Sequence, residues 1–198
     1  AATGLRIGLG VFVSDNVLFE IETNPGVYSD LEGTLRSKDY DFPSHAMFTV
    51  RATEDFFFKI GARYNQVFEE APWLPLLGFS WQVTDGFRVD VLAPEQIELS
   101  LWPSASTAFL FGGQVTGAEY HVRTSAATGK QRADLNVQEV VAYVGLLHRF
   151  SDHVSLQARG GLVLGGDYDL TTGGAAFDRV EGALDQAGFG EVTFGISW

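Results

Sequence analysis

Apolar and polar residues alternate in short runs along almost the whole chain. Leu5, Ile7, Leu9, Val11 and Val13 occupy alternate positions, separated by Arg6, Gly8, Gly10 and Phe12. Successive side chains of a strand point to opposite faces, so each such run reads as a strand with one oily face. The same pattern recurs in Val17, Phe19 and Ile21, and in Phe48, Val50 and Ala52. It recurs again in Phe56, Phe58, Ile60, Ala62 and Tyr64, and in Leu77, Phe79, Trp81 and Val83. Shorter runs follow at Phe87–Val91 and Ile97–Leu101. From about Thr107 to Arg123 the facing is ambiguous, because Phe109, Phe111 and Val115 compete with Leu110, Tyr120 and Val122. From about Leu135 to Phe150 the chain is oily on both faces in places. Val154, Leu156, Ala158, Leu162 and Leu164 form a further run. Val192, Phe194, Ile196 and Trp198 form the last, with Glu191, Thr193, Gly195 and Ser197 opposite. Helical periodicity is nearly absent; the one candidate helical piece is Ala176–Leu184. The chain is expected to be all-β and antiparallel.

The connections alternate in length. Short turns are expected at Ser14, Glu54, Thr84, Pro103 and Ser151, with Thr84-Asp85-Gly86 the clearest hairpin signal. Longer connections are expected at Asn24–Ser44, about Gln66–Pro75, Ser125–Asp134 and about Gly165–Ala187, while the one at Pro94 is short. Short turns at one end and longer loops at the other are the habit of up-and-down transmembrane β-barrels. With the short turns on the periplasmic side, the last strand runs downward and Trp198 ends at the periplasmic interface. The first visible strand also runs downward. Bacterial barrels have even strand numbers, so one upward strand is expected before Ala1, giving about 12 strands, or about 10 if the first two do not both span. The chain is thus read as a single barrel domain over 1–198, lacking its first strand. It opens AATGLRIGLG, with no basic segment and no cleavage motif, as after removal of a signal peptide or from an incomplete N-terminus.

Composition narrows the classes. Hydrophobic residues make up 45% of 198 residues, yet no run approaches the roughly 18–20 apolar residues of a membrane helix. A barrel escapes that test, because half of its strand residues face inward and dilute the hydropathy. With no cysteine, disulfides, thiol nucleophiles and thiolate metal sites are excluded. A net charge of −12 argues against a nucleic-acid partner, since phosphate binding needs clustered Lys and Arg.

The polar face carries Arg6, Glu20, Glu22, Arg51, Lys59, Arg63, Arg88, Asp90, Glu98, Arg159 and Glu191. Both signs are present, which suits ion pairs filling a narrow lumen better than a one-sign selectivity ring. On the oily face, Phe56, Trp81, Phe87, Phe150 and Trp198 fall beside the short turns and are expected to form a periplasmic aromatic girdle. Enzymatic chemistry finds little footing. Ser151 and His153 flank one turn, but a turn builds no oxyanion hole, and neither GxSxG nor HExxH occurs. The carboxylate pairs Asp39/Asp41 and Asp167/Asp169 could hold Ca²⁺, but solvated acidic loops explain them more simply. The Gly pairs at 112–113, 160–161 and 165–166 fit strand bends or close packing. No cofactor or metal is expected. A soluble lipocalin-like barrel would show the same alternation with its oily face inward, so periodicity alone leaves that alternative open.

Two resemblances add to this. The final strand resembles the C-terminal recognition signal of outer-membrane barrels, with Trp198 as terminal aromatic, Ile196 as penultimate hydrophobic and Glu191 as the polar position. Thr193 stands where that signal usually has glycine. The stretch from Leu76 to Arg159, through LLGFSWQVTDGFRVDVLAPEQIELSLW, GGQVTGAEYHV and VQEVVAYVGLLHRFSDHVSLQARGG, is similar to an uncharacterised family of outer-membrane proteins. These resemblances imply a bacterial outer-membrane location, lipid as surroundings, the barrel-assembly machinery as partner during insertion, and no catalytic residues. The function expected is an envelope structural or partner-binding barrel with a narrow, charge-lined lumen, with other envelope proteins as candidate partners. A porin-like passive channel for small solutes is the alternative, and a soluble barrel for a hydrophobic ligand a further one.

Overall fold

Alternation with tight turns folds the chain into a continuous meander of hairpins. The structure is a computed structural model that describes residues 2–5, 7–28, 40–64, 72–126, 129–172 and 179–196. Its strands are β1 (Ala2–Gly4), β2 (Ile7–Ser14), β3 (Val17–Thr23), β4 (Gly26–Tyr28), β5 (Tyr40–Asp41), β6 (Ser44–Arg51), β7 (Phe56–Tyr64) and β8 (Trp73–Thr84). They continue as β9 (Phe87–Ala93), β10 (Gln96–Ser104), β11 (Thr107–Ala126), β12 (Gly129–Arg149), β13 (Val154–Thr172), β14 (Arg179–Ala183) and β15 (Ala187–Ile196). Twelve strands form one antiparallel sheet in the order β14-β13-β12-β11-β10-β9-β8-β7-β6-β3-β2, with β15 also on β13. β14 pairs with Asp167–Thr171 and β15 with Val154–Val163, so the two lie end to end along one edge. The sheet therefore has eleven strand positions.

An odd number of antiparallel positions makes the first and last strands run the same way. β2 and β15 cannot form an antiparallel pair, and the expected closed barrel is not observed: the sheet is open between them. It is nonetheless strongly curled. One cavity is lined both by Lys59 of β7 and by Gln157 of β13, six positions apart in the sheet. β1, β4 and β5 form a separate three-stranded sheet at the long-loop end. There β4, carried on the β3–β6 connection, packs against the distant β11.

The curl puts the polar face inside. Ser80 and Ser100 are 3% and 4% exposed, whereas Val144, Leu162 and Val192 are 59%, 56% and 72% exposed. Among the described residues, exposed large hydrophobic side chains outnumber buried ones several-fold. This is the reverse of a water-soluble core. The ambiguous strand resolves the same way, with Phe109, Phe111 and Val115 outward and Leu110 buried.

Several expectations about connections are overturned, among them the Gly165–Ala187 loop, whose first part to Thr172 is strand β13, and the Gln66–Pro75 loop, whose end from Trp73 is strand β8. Arg179–Ala183, within the candidate helical piece, is strand β14, because its backbone pairs with the extended upper half of β13. The expected loop at Ser125–Asp134 is largely paired strand, with Ala126 opposite Gly129 at the tip. Backbone pairing satisfies N–H and C=O groups whether or not an apolar face lies beneath, so polar composition alone did not end those strands. Part of the Asn24–Ser44 connection is likewise strand, in β4 and β5.

Candidate functional site: a charged inner face and an uncharged outer face

On the outer face, strand register aligns apolar rows. Phe58 lies opposite Phe79 and Val50, Ile60 opposite Leu77 and Phe48, and Val91 opposite Phe79 and Ile97. The rows continue as Leu99 opposite Phe111, Phe111 opposite Val144, and Ala158 opposite Val192. From β2 through β15, the outward positions of these rows carry no Asp, Glu, Lys or Arg. The band has a level upper border. Among the described side chains, Val115 and Val140 are the last exposed apolar residues of β11 and β12, and they are register partners; Val140 lies opposite Gly165, beside Leu164. The next outward row is Gly117, Gln138 and Asp167. Val154 to Leu164 spans about ten residues, and at ~3.3 Å per residue and a tilt near ~40° gives a height of about 25 Å.

The aromatic positions gather at the short-turn end of this band. Phe56 and Trp81 are register partners, and the Phe56 ring stacks on Phe79 at 5.6 Å. Phe87 lies opposite Leu101. Phe150 is 62% exposed and packs edge-on against His148 at 4.8 Å. Trp198 lies outside the described residues.

The inner face is a set of linked polar clusters. In the first, Arg88 Nη2 donates to Asp90 Oδ1 at 2.9 Å and to Ser80 Oγ at 3.2 Å. Ser80 Oγ donates to the same Asp90 oxygen, and Lys59 Nζ donates to it from β7 at 3.3 Å. In the second, Tyr143 Oη donates to Glu98 Oε2 at 2.8 Å and accepts from Gln96 Nε2 at 3.1 Å. Arg159 lies over the Tyr143 ring at 4.9 Å and donates to Glu191 Oε2 at 2.8 Å. This cluster runs from β10 to β15. It is possible because Gly112 and Gly161 flank Tyr143 in the register. A Cβ on Gly112 would stand 2.6 Å from Tyr143 Cζ and Oη, so glycine opens the path by which Tyr143 reaches across β11 to Glu98. Gly145 does the same for Arg159, whose Cγ would be 2.9 Å from an added Cβ.

The remaining sites are local. Arg63 pairs with Glu95 at 2.9 Å, Glu22 with His45 at 3.9 Å, and Thr49 Oγ1 donates to Glu20 at 3.4 Å. Arg51 is exposed at the short-turn end, 5.8 Å from the Phe57 ring centre. Arg6 lies outside the described residues. Sequence reading missed Tyr143, Ser80, Gln96, Glu95, Trp102 and Arg149. Tyr143 had a usable signal: strand parity together with glycines that leave room beside it. The Trp102–Arg149 pair, with Arg149 Cζ 4.5 Å from the Trp102 ring centre, joins residues 47 apart in the chain and had none.

Among the described residues two cavities lie along this face. One of 310 Å³ is bounded by Lys59, Asp90, Glu98 and Gln157; the other, of 580 Å³, lies toward the short turns beside Gln82, Asp85 and Ser104. Arg88, Trp102 and Arg149 border both. Among the described residues no three His, Asp or Glu side chains converge as a metal site. Asp39 lies outside them. His153 N–H donates to Ser151 Oγ at 3.2 Å, which is a local turn contact rather than a nucleophile–base pair. A family model described as Domain of unknown function (DUF6268) matches residues 19–175. No curated protein and no solved structure matches the chain.

Proposed function

The chain belongs to the family of the DUF6268 domain, and from its two faces we propose that it is an integral bacterial outer-membrane strand protein, an envelope structural or partner-binding component rather than an enzyme. Its outer face meets lipid, and its inner face is a narrow lumen braced by ion pairs. The carrying observation is the uncharged apolar band, in register across eleven strand positions and bordered by polar residues at one level on β11–β13. In lipid a charged outward residue is costly, whereas on a water-facing sheet charges are common. A height of about 25 Å matches the apolar belt of outer-membrane barrels.

Lipid also demands that every backbone N–H and C=O be paired, so an open seam between β2 and β15 is unfavourable there. Because those edges run the same way, a single strand running opposite to both satisfies them, giving the twelve positions of a closed barrel. Insertion by the barrel-assembly machinery is part of this proposal. A soluble barrel around a hydrophobic ligand needs the oily face inward, and the exposure of Val144 and Val192 counts against it.

The porin-like reading keeps one supporting observation, the two cavities along the inner face. Against it stands the engagement of Lys59, Arg88, Asp90, Glu98 and Arg159 with one another or with neighbours, which braces the interior. The test has two arms. Carbonate-washed envelope membranes should retain the protein until detergent is added; recovery in the wash overturns the membrane proposal. In planar bilayers the pure protein should carry no steady ion current; steady current favours the channel over the braced component.

A further inference from the structure

Among the described residues, Arg149 is a cation bordering the inner face that no acid there engages. Arg149, the exposed last residue of β12, borders both inner-face cavities, and its guanidinium carbon lies over the Trp102 ring, 4.5 Å from the centre. Among the described residues no carboxylate pairs with it. The acids facing the same space are accounted for differently. Asp90 is held by Arg88, Lys59 and Ser80, Glu98 accepts from Tyr143, and Asp85 sits in the β8–β9 turn at the outer cavity. Among the described residues no hydrogen bond engages the guanidinium N–H edge, the edge that grips two oxygens of one anion. That edge belongs to a residue bordering both the 310 Å³ and the 580 Å³ cavity. Polar side chains also line the walls: Ser100, Gln157 and Ser104, with Gln82 already donating to Thr84 O at 2.6 Å.

Local folding explains why the pair stands there. Ser100 and Trp102 share the inward parity of β10, while Leu101 points out at 43% exposed. The register with β11 slips between Leu101 and Ser104, while on the β9 side the backbone N–H of Trp102 donates to Gly86 O at 2.8 Å, next to the Leu101–Phe87 pair. That bond ties the backbone of Trp102 to the β8–β9 turn at the mouth of the inner face. Arg149 has the inward parity of Tyr143 and Leu147, and its N–H donates to Ser106 O at 2.7 Å. Both partners are thus fixed by the backbone of an adjacent short turn.

We propose that Trp102 and Arg149 form a binding site for a small solute bearing an oxyanion, a carboxylate or a phosphate group, at the short-turn mouth of the inner face. Arg149 supplies the charge and the bidentate edge, and the Trp102 ring supports its guanidinium from one side. The chain as a whole carries −12, so an anion is drawn to this place by a local site and not by the overall field. The inference rests on the polar face being the inner one and is independent of whether the outer face meets lipid.

The test is titration of the folded full chain with inorganic phosphate and, separately, acetate, read by ¹⁵N–¹H shifts of the arginine Nε and indole Nε1 groups. Choline at matched ionic strength serves as the cation control. Saturable shifts of the Arg149 and Trp102 signals are expected with the anions and not with choline. Arg149→Gln should weaken binding about tenfold or more. Arg149→Lys, which keeps the charge but not the fork, should fall between, and it replaces Arg149→Gln if that variant does not fold. Phosphate binding tighter than acetate assigns a phosphate ligand; the reverse order assigns a carboxylate. Non-saturating shifts common to all arginines, or unchanged affinity in both variants, overturn the proposal. Membrane retention of the protein is unaffected by either result, so the two proposals fail separately.

Discussion

Val144→Arg is the most informative single substitution. Val144 is 59% exposed on β12, so an arginine there meets no packed core and leaves no cavity. It lies four residues below Val140, at the upper border of the apolar band, and between register partners Phe111 and Gly160. At ~3.3 Å per residue and a tilt near ~40°, that places it about 10 Å below the border, close to the middle of a band about 25 Å tall. If the face meets lipid, arginine at the midplane costs about 2–4 kcal/mol, and at the border about 0–1. If the face meets water, both variants stay within about 0.5 kcal/mol of the parent, as surface substitutions usually do. The comparison with Val140→Arg cancels strand propensity, since both positions are exposed valines on one strand. Reversible urea unfolding of bilayer-folded protein reads the difference, expected to be about 2 kcal/mol. Equal midpoints for the two variants would refute the reasoning.

Other substitutions probe the inner face. Gly112→Ala brings a Cβ to 2.6 Å from Tyr143 and 2.8 Å from Ile97 O, and should cost about 1–3 kcal/mol in the same unfolding assay. Tyr143→Phe removes the hydroxyl that donates to Glu98 and accepts from Gln96, and should also cost about 1–3 kcal/mol. The two should be less than additive, because Gly112→Ala already displaces that hydroxyl; full additivity contradicts the account of Gly112. Asp90→Asn leaves Arg88 and Lys59 facing each other across Ser80 without their shared carboxylate. It should destabilise by about 1–3 kcal/mol, discounted for partial exposure, with much of the loss recovered in Asp90→Asn/Lys59→Met.

The hairpin meander was legible because period-two alternation and turn chemistry act within a few residues. Thr84-Asp85-Gly86 and the runs beside it carry their own register. What stayed hidden depends on distance or on backbone. β14 and the upper halves of β11–β13 are paired beyond the apolar band, where polar residues on both faces give no alternation signal. Sheet closure depends on strand-count parity, which one misjudged connection would change. On the inner face, parity puts Arg88, Asp90, Glu98 and Arg159 on one side, but says nothing of which groups pair. Tyr143–Glu98 crosses a whole strand through a space left by Gly112. Trp102–Arg149 joins residues 47 apart on β10 and β12, with β11 between them. Phe109 and Leu110 read alike as neighbours in sequence, and only the curl of the sheet separates the exposed ring of Phe109 from the buried side chain of Leu110.

The central claim is that the oily face of this sheet meets lipid and the charged face does not. The chain has no cysteine, so single replacements give unique spin-label sites. Labels at Leu99→Cys, Val144→Cys and Val192→Cys on the outer face should, in phospholipid bilayers, be readily relaxed by oxygen and poorly by a water-soluble nickel chelate. Labels at Ser100→Cys and Gln157→Cys on the inner face should show the opposite preference. Nickel accessibility at Val144→Cys and Val192→Cys equal to that at Gln157→Cys would contradict the account.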